Sequence, residues 1–262
     1  GVYQYQTYSQ IQVKVHQFAS ALIEVGIQPQ DRVAQVSPNR PEWPVSDLGI
    51  MHAGAIHVPI YPTLAAEAIE YLINDSEARL ICAATPTHLK AILSVEKNLA
   101  KLEHIVTYFD HGKPESGKKL WTLDEFLAFG QTNLEKNSPI MEQRIDALKA
   151  TDVCSLVYTS GTTGEPKGAM LMHGNFVSNA ISSVPVLGYT TDDLELSFLP
   201  LSHVFERVAY YASTSVGAAI AYAESFETVA ANMVEVRPTV VPSVPRLFEK
   251  FQTGVLNSVK GS

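Results

Sequence analysis

Eleven consecutive residues concentrate the chemistry of this chain: Tyr158-Thr159-Ser160-Gly161-Thr162-Thr163-Gly164-Glu165-Pro166-Lys167-Gly168. Four small hydroxyl side chains (Thr159, Ser160, Thr162, Thr163), three glycines and one lysine share one turn. Such a turn can wrap backbone N–H groups, hydroxyls and a cation around a polyphosphate. The glycines let the backbone approach phosphate oxygens and reach φ > 0, and Lys167 brings a mobile point charge. The spacing is not that of a Walker A loop, because Lys167 lies three residues beyond Gly164 and is followed by Gly168. The apolar run Val153–Val157 before it reads as a buried strand, and a helix is expected to begin near Gly174-Asn175, making this a strand-to-helix turn.

A second turn, Leu199-Pro200-Leu201-Ser202-His203-Val204-Phe205-Glu206-Arg207, presents His203 at the start of a helix. A third, Val241 to Lys250, carries Arg246, Glu249 and Lys250. Glu206 and Arg207, on the first turn of their helix, read as a solvated or locally paired surface. The other histidines show no metal spacing with cysteines or carboxylates, so no metal-ligating residue is assigned.

The elements that must position these turns alternate along the chain. Thr7 to Gln10 forms a capping box, followed by Ile11, Val15, Phe18, Leu22 and Val25 at helical spacing. Strands at 32–36, 55–60, 79–83 and 105–109 then alternate with helices at 42–52, 65–74 and 86–99. Residues 3–6 look strand-like, 121–129 read as a short amphipathic helix, and 131–150 read as an irregular connection. After Asp152 the alternation resumes: strand 194–199, helix 203–216, strand 218–222, helix 226–236, strand 240–241 and helix 246–259. Strands separated by helices imply an α/β fold of largely parallel sheets covered by helices. Two blocks, about 1–150 and 151–262, read as sub-blocks of one larger domain. In such sheets ligands bind beyond the carboxyl ends of strands, where the three turns lie.

Composition is that of a globular chain: 46% apolar, 18% charged and a net charge of −8 over 262 residues. The negative balance, with no Lys/Arg cluster, argues against nucleic acid as a partner. Cys82 and Cys154 lie in apolar runs and read as buried thiols of a reducing compartment. No apolar stretch is long enough to span a bilayer, and the start lacks a signal pattern.

The loop at 158–168 resembles the phosphate-binding signature of the adenylate-forming superfamily, and the match is nearly complete. The form ending His203-Val204-Phe205-Glu206-Arg207, with Tyr222-Ala223-Glu224-Ser225 and Pro245-Arg246-Leu247-Phe248-Glu249-Lys250, is similar to the long-chain fatty acyl-CoA synthetase branch. That resemblance runs from Thr7 to Lys250. It implies two half-reactions: a fatty carboxylate attacks the α-phosphorus of ATP and releases pyrophosphate, then the coenzyme A thiolate displaces AMP. It assigns Thr159, Ser160, Gly161, Thr162, Thr163, Gly164 and Lys167 to the β- and γ-phosphates, with Mg²⁺ bridging them. It makes His203 a pocket residue orienting substrate, and it has His173 shape the turn before Gly174-Asn175.

Later family segments do not occur within these 262 residues, so the sequence reads as an N-terminal fragment with little activity alone. Alternatives are an adenylate-former for another carboxylic acid and a non-catalytic nucleotide-binding module. A cytoplasmic location with peripheral membrane contact follows from the acyl substrate, although no strongly basic amphipathic helix is evident.

Overall fold

The computed structural model describes residues 3–159, 164–249 and 252–253. Within them the first strands and helices are α1 (Tyr8–Glu24), β1 (Arg32–Val36), α2 (Glu42–His52), β2 (Ile56–Ile60), α3 (Ala66–Ser76), β3 (Leu80–Ala83) and α4 (Pro86–Val95). These are followed by β4 (His104–Thr107), β5 (Lys119–Thr122), α5 (Leu123–Thr132), α6 (Leu134–Ala147), β6 (Val153–Thr159), β7 (Lys167–Met172) and α7 (His173–Leu187). Next come β8 (Leu194–Ser197), α8 (Val204–Val216), β9 (Ala219–Tyr222) and α9 (Val229–Val236). Contacts divide the chain into two compact units, Gly1–Ser178 and Asn179–Ser262, so the first takes in β6 and β7.

The first unit holds a seven-stranded sheet in the order β5-β4-β3-β1-β2-β6-β7, parallel except for β7. Strand alternation sends successive side chains to opposite faces. On one face Val33, Leu80, Cys82 and Val106 pack with Phe18, Leu22 and Phe126. On the other, Ala34, Val36, Ile81 and Ile105 pack with Ile69, Leu72, Ile73 and Ile92. Both faces are therefore covered, as near-continuous apolar strands require. Cys82 and Cys154 are buried, as expected, and the Cys154 thiol donates to Leu171 O at 3.4 Å.

Thr7 caps α1 in the expected capping box: its side chain accepts from Gln10 N–H, and the Gln10 side chain accepts from Thr7 N–H at 2.8 Å. Residues 3–6, read as strand-like, form no strand.

Two elements differ from the sequence reading between 119 and 150. Residues 119–122 are β5, which extends the sheet beside β4, and Thr122 caps α5 through a capping box with Glu125. The stretch read as irregular holds α6, with Pro139 inside it. Only Asn137 and Met141 of this helix are buried, so no apolar stripe announces it. Polar contacts hold it instead. Asn137 Nδ2 donates to Ser20 O at 3.1 Å, and Arg144 Nη1 donates to Ile27 O at 2.9 Å and Ala53 O at 2.8 Å.

The second unit contains the parallel pair β8–β9. Leu196, Ala223, Val229 and Leu247 form its core, joined by Phe198, Met233 and Val236. The expected strand at 240–241 is reduced to a bridge between Val240 and Glu195. Residues 245–249 are helical, and most of the remaining helix expected to 259 lies outside the described residues.

Candidate functional site

The loop opens as a hairpin rather than as a strand-to-helix turn. Residues 167–172 pair antiparallel with β6, Thr159 opposite Lys167 and Tyr158 opposite Gly168, before α7 begins at His173. Antiparallel strands can be joined by a short loop, so the chain need not cross the sheet before its helix. Thr159 and Lys167 thus face one another at the mouth, both exposed. Gly164 adopts φ +143°, in the range that favours glycine. Ser160, Gly161, Thr162 and Thr163 lie outside the described residues.

The stem is clamped from α3. Tyr71 donates its hydroxyl to Pro166 O at 3.0 Å, and one turn on, Asp75 Oδ2 accepts from the Tyr158 hydroxyl at 2.6 Å. Burial, together with this carboxylate, pushes the Tyr158 phenol well above its ordinary range, so it remains a donor. The Tyr158 ring lies over Gly168, where an added Cβ would approach Tyr158 Cζ to 3.2 Å. Sequence reading missed Tyr71 and Asp75. Their spacing of four on a helix with buried Ile69, Leu72 and Ile73 was the available signal, but nothing local linked them to the loop.

Beyond β7, Asn175 Oδ1 accepts from Met172 N–H at 2.8 Å, closing the start of α7. His173 N–H donates to Asp152 O at 3.0 Å, and Gly174 N–H donates to Ala150 O at 2.8 Å. A Cβ at Gly174 would meet that same Ala150 oxygen at 2.8 Å, which accounts for glycine there. The expected shaping of this turn by His173 is thus made by its backbone.

In the second unit His203 is the N-cap of α8: its Nδ1 accepts from Phe205 N–H at 3.2 Å, and its own N–H donates to Pro200 O at 2.8 Å. The residue is exposed, and its ring is held through Nδ1.

Glu206 and Arg207 are not a solvated surface. Both are 0% exposed, because α8 turns that side onto β8. Ser197 Oγ donates to Glu206 Oε1 at 2.6 Å, Ser213 Oγ donates to Glu195 Oε2, and Arg207 Nε donates to the Tyr211 hydroxyl at 2.9 Å. Loss of hydration pushes Glu195 up to about 7 and Glu206 up to about 8, and the neighbouring Glu195 adds to the latter. Arg246 and Glu249 are both exposed on the helical segment 245–249, while Lys250 lies outside the described residues.

Another buried polar pair lies in the first unit: His57 Nδ1 and Asp47 Oδ1 are 2.7 Å apart and fully enclosed, with Trp43 edge-on to the imidazole. No cluster of three or more His, Cys, Asp or Glu suited to a metal occurs among the described residues. A groove of about 560 Å³, lined by Pro86, Leu89, Lys90, Leu93, Phe109 and His111 among others, includes none of the loop residues. No helix among the described residues is long and apolar enough to cross a membrane.

The sequence matches the family described as "AMP-binding enzyme" over residues 1–260. The chain belongs to that family. It is 34% identical to fatty acyl-CoA synthetase A of Dictyostelium discoideum over 260 residues, covering 95% of this chain and 37% of that one. It is 32% identical to long-chain-fatty-acid–CoA ligase 5 of Rattus norvegicus over 273 residues, covering 98% of this chain and 39% of that one. The chain therefore spans well under half the length of these relatives. Among solved structures, the anthranilate CoA ligase AuaEII in complex with anthranoyl-AMP is similar with a TM-score of 0.75 and 26% identity, over 91% of this chain and 44% of that one. ATP-bound MatB from Rhodopseudomonas palustris shares the fold, with a TM-score of 0.70 and 24% identity over 93% of this chain and 45% of that one.

Proposed function

We propose that this chain is part of the large N-terminal domain of a long-chain fatty acyl-CoA synthetase, with residues 153–172 forming its phosphate cradle. The observation that carries the reading is the closed stem, which sets the Thr159 hydroxyl opposite Lys167 at the two ends of a Gly/Ser/Thr-rich turn. A hairpin held from α3 by Tyr71 and Asp75 gives that turn a fixed base, as preorganised charge stabilisation requires.

In this reading Thr159, Ser160, Thr162 and Thr163, with the amides of Gly161 and Gly164, bind the β- and γ-phosphates of ATP, and Lys167 adds positive charge. Hydroxyls, amides and a lysine suit phosphate oxygens better than direct metal ligation. Mg²⁺, when bound with ATP, supplies further neutralisation of the polyphosphate. His203, fixed through Nδ1, orients the acyl substrate. A fatty carboxylate then forms an acyl-adenylate with release of pyrophosphate, and the coenzyme A thiolate displaces AMP. The relatives' names favour a fatty acid over other carboxylic acids. Activity of a cytoplasmic enzyme with peripheral membrane contact fits an acyl substrate drawn from lipid.

Pyrophosphate exchange with palmitate tests the reading. A longer protein containing this chain should exchange with palmitate and not with amino acids, and the 262-residue chain alone should exchange little. Exchange driven by amino or aryl acids would replace the fatty-acid assignment, and full exchange by the chain alone would remove the fragment assignment. Calorimetry with Mg·ATP on the 262-residue chain separates a binding-competent cradle from one that needs the remaining partners.

A further inference from the structure

Two glutamates and two serines cross-link β8 and α8 reciprocally. The strand supplies Glu195 and Ser197, two residues apart and so on one face; the helix supplies Glu206 and Ser213, seven apart and so on one stripe. Ser197 donates to Glu206, and Ser213 donates to Glu195. All four side chains are at most 1% exposed. One oxygen of each carboxyl, Glu195 Oε1 and Glu206 Oε2, has no partner among the described residues.

Glu206 stands three residues after the N-cap His203, the position from which a glutamate ordinarily reaches back to the N-cap N–H in a capping box. Here the carboxyl turns to the strand instead. It takes the Ser197 hydroxyl and a backbone hydrogen bond from Phe198, while the His203 N–H goes to Pro200 O. Glu206 therefore spans the turn 199–203 from one side to the other. Ser202, within that turn, is 2% exposed and its hydroxyl has no partner among the described residues.

We propose that Glu206 is a positioning residue for His203, acting as a latch that holds the 199–203 turn while its carboxyl carries a proton and releases it on ionisation. Protonated, the carboxyl needs no compensating charge in its enclosed site. Ionised, it has lost its proton to solvent and demands further donors, and the Ser202 hydroxyl, buried in the same turn, is an unused donor among the described residues. Drawing on that hydroxyl shifts the turn and the N-cap that follows it. Tyr189 feels both carboxyls but is itself pushed up to about 12, chiefly by burial. Asp193 accepts from Thr239 and Thr190, Arg207 donates to Tyr211, and β9 contributes only Ala219, Ile220, Ala221 and Tyr222. The pair's ordinary ionisation is displaced upward, Glu206 more than Glu195, which places the release on the alkaline side of neutrality.

The catalytic meaning of this latch rests on the reading of His203 as a pocket residue, but its test does not use activity. The Phe205 amide, which donates to His203 Nδ1, is followed by NMR in the 262-residue chain from pH 5.5 to about 9. The imidazole's own protonation is read separately from its ring carbon resonances. The wild-type amide should show a step, distinct from the imidazole's, centred between about 7 and about 8. Glu206→Gln, which keeps the acceptor for Ser197 but cannot ionise, should abolish that step and leave the imidazole's in place. Should that variant fail to fold by circular dichroism, Glu195→Gln is read instead; losing the neighbouring charge should move the step to lower pH. No step in the wild type, an unchanged step in Glu206→Gln, or an unmoved one in Glu195→Gln overturns the proposal. A failed exchange assay with an intact step would instead overturn the catalytic reading of His203 alone.

Discussion

Tyr158 and Asp75 meet at 2.6 Å, hydroxyl to carboxylate, one residue before the mouth of the β6–β7 hairpin. The bond ties the end of β6 to α3, so the geometry of the hairpin stem depends on a helix about eighty residues earlier in the chain. A hydrogen bond to a charged group contributes about 1.5–3 kcal/mol. Tyr158→Phe keeps the ring over Gly168 and removes the hydroxyl that bonds Asp75, so it should lower stability by about 2 kcal/mol in urea denaturation. It should also weaken Mg·ATP binding, and unchanged binding would show that the clamp does not set the cradle.

Lys167 stands at the mouth opposite Thr159, exposed and on a paired strand. Lys167→Met removes its charge without disturbing backbone pairing. Mg·ATP affinity measured by calorimetry should fall about tenfold, equivalent to about 1.4 kcal/mol, with little change in the urea midpoint. Equal affinity would place the polyphosphate elsewhere.

Gly130, on α5, packs against α1 so closely that a Cβ would come within 1.8 Å of Gln17 O. The contact is reinforced by Ser20 Oγ, which donates to Gly130 O at 2.9 Å. Gly130→Ala must therefore separate two helices of the first core, at a cost of about 3 kcal/mol despite alanine's better helix propensity. A thermal melt that rises rather than falls would contradict this packing.

Buried glutamates give stability its pH dependence in the second unit. Glu195 and Glu206 ionise at higher pH folded than unfolded, where a glutamate titrates near 4.5. The folded state then binds more protons, so this contribution is complete below about pH 4.5 and is lost as pH rises through about 7 to about 8. Glu206→Gln should raise stability at pH 9 by on the order of 3 kcal/mol relative to wild type and change it little at pH 4. Parallel denaturation curves at the two pH values decide the matter, and an equal effect at both would show that ionisation is not involved.

Glu24, Glu42 and Glu103 act in the opposite sense. Hydrogen bonds from Lys136, Arg40 and Arg79 hold these carboxyls below their ordinary range, so their contribution is present above about 4.5 and is lost as pH falls through the lowered values. Thermal melts in the first unit should therefore weaken on acidification below about pH 4.5. A melt that strengthens on acidification in Glu195→Gln/Glu206→Gln would be the contrary result.

The parallel sheet was legible because Val33–Val36, Leu80–Ala83 and Ile105–Thr107 are short apolar runs separated by amphipathic helices. The turn at 158–168 stood out because its Gly, Ser, Thr and Lys residues are contiguous. What stayed hidden depends on partners distant in sequence. Helix α6 is held by Asn137 and Arg144 reaching backbone oxygens on earlier elements, and such contacts leave no periodic apolar signature. Glu206 looked like a surface residue because a charged side chain in a first helical turn is ordinarily solvated. Its burial depends on Ser197, which only the packing of α8 on β8 brings to it. Strand β7 was absorbed into the loop because Lys167-Gly168 offers no strand signal until β6 is beside it.

That antiparallel pairing also sets where the chain can change length. A residue gained or lost between Thr159 and Pro166 alters the reach of the turn and leaves the β6–β7 register and the Tyr71–Pro166 bond in place. The same change inside β7 would slip its register by one and exchange the strand's two faces. Gly168 would then leave its place beneath the Tyr158 ring, and a bulkier neighbour would have to occupy it. Length can therefore vary among the six positions between Thr159 and Pro166, whereas the six of the strand tolerate substitution but not a change in number.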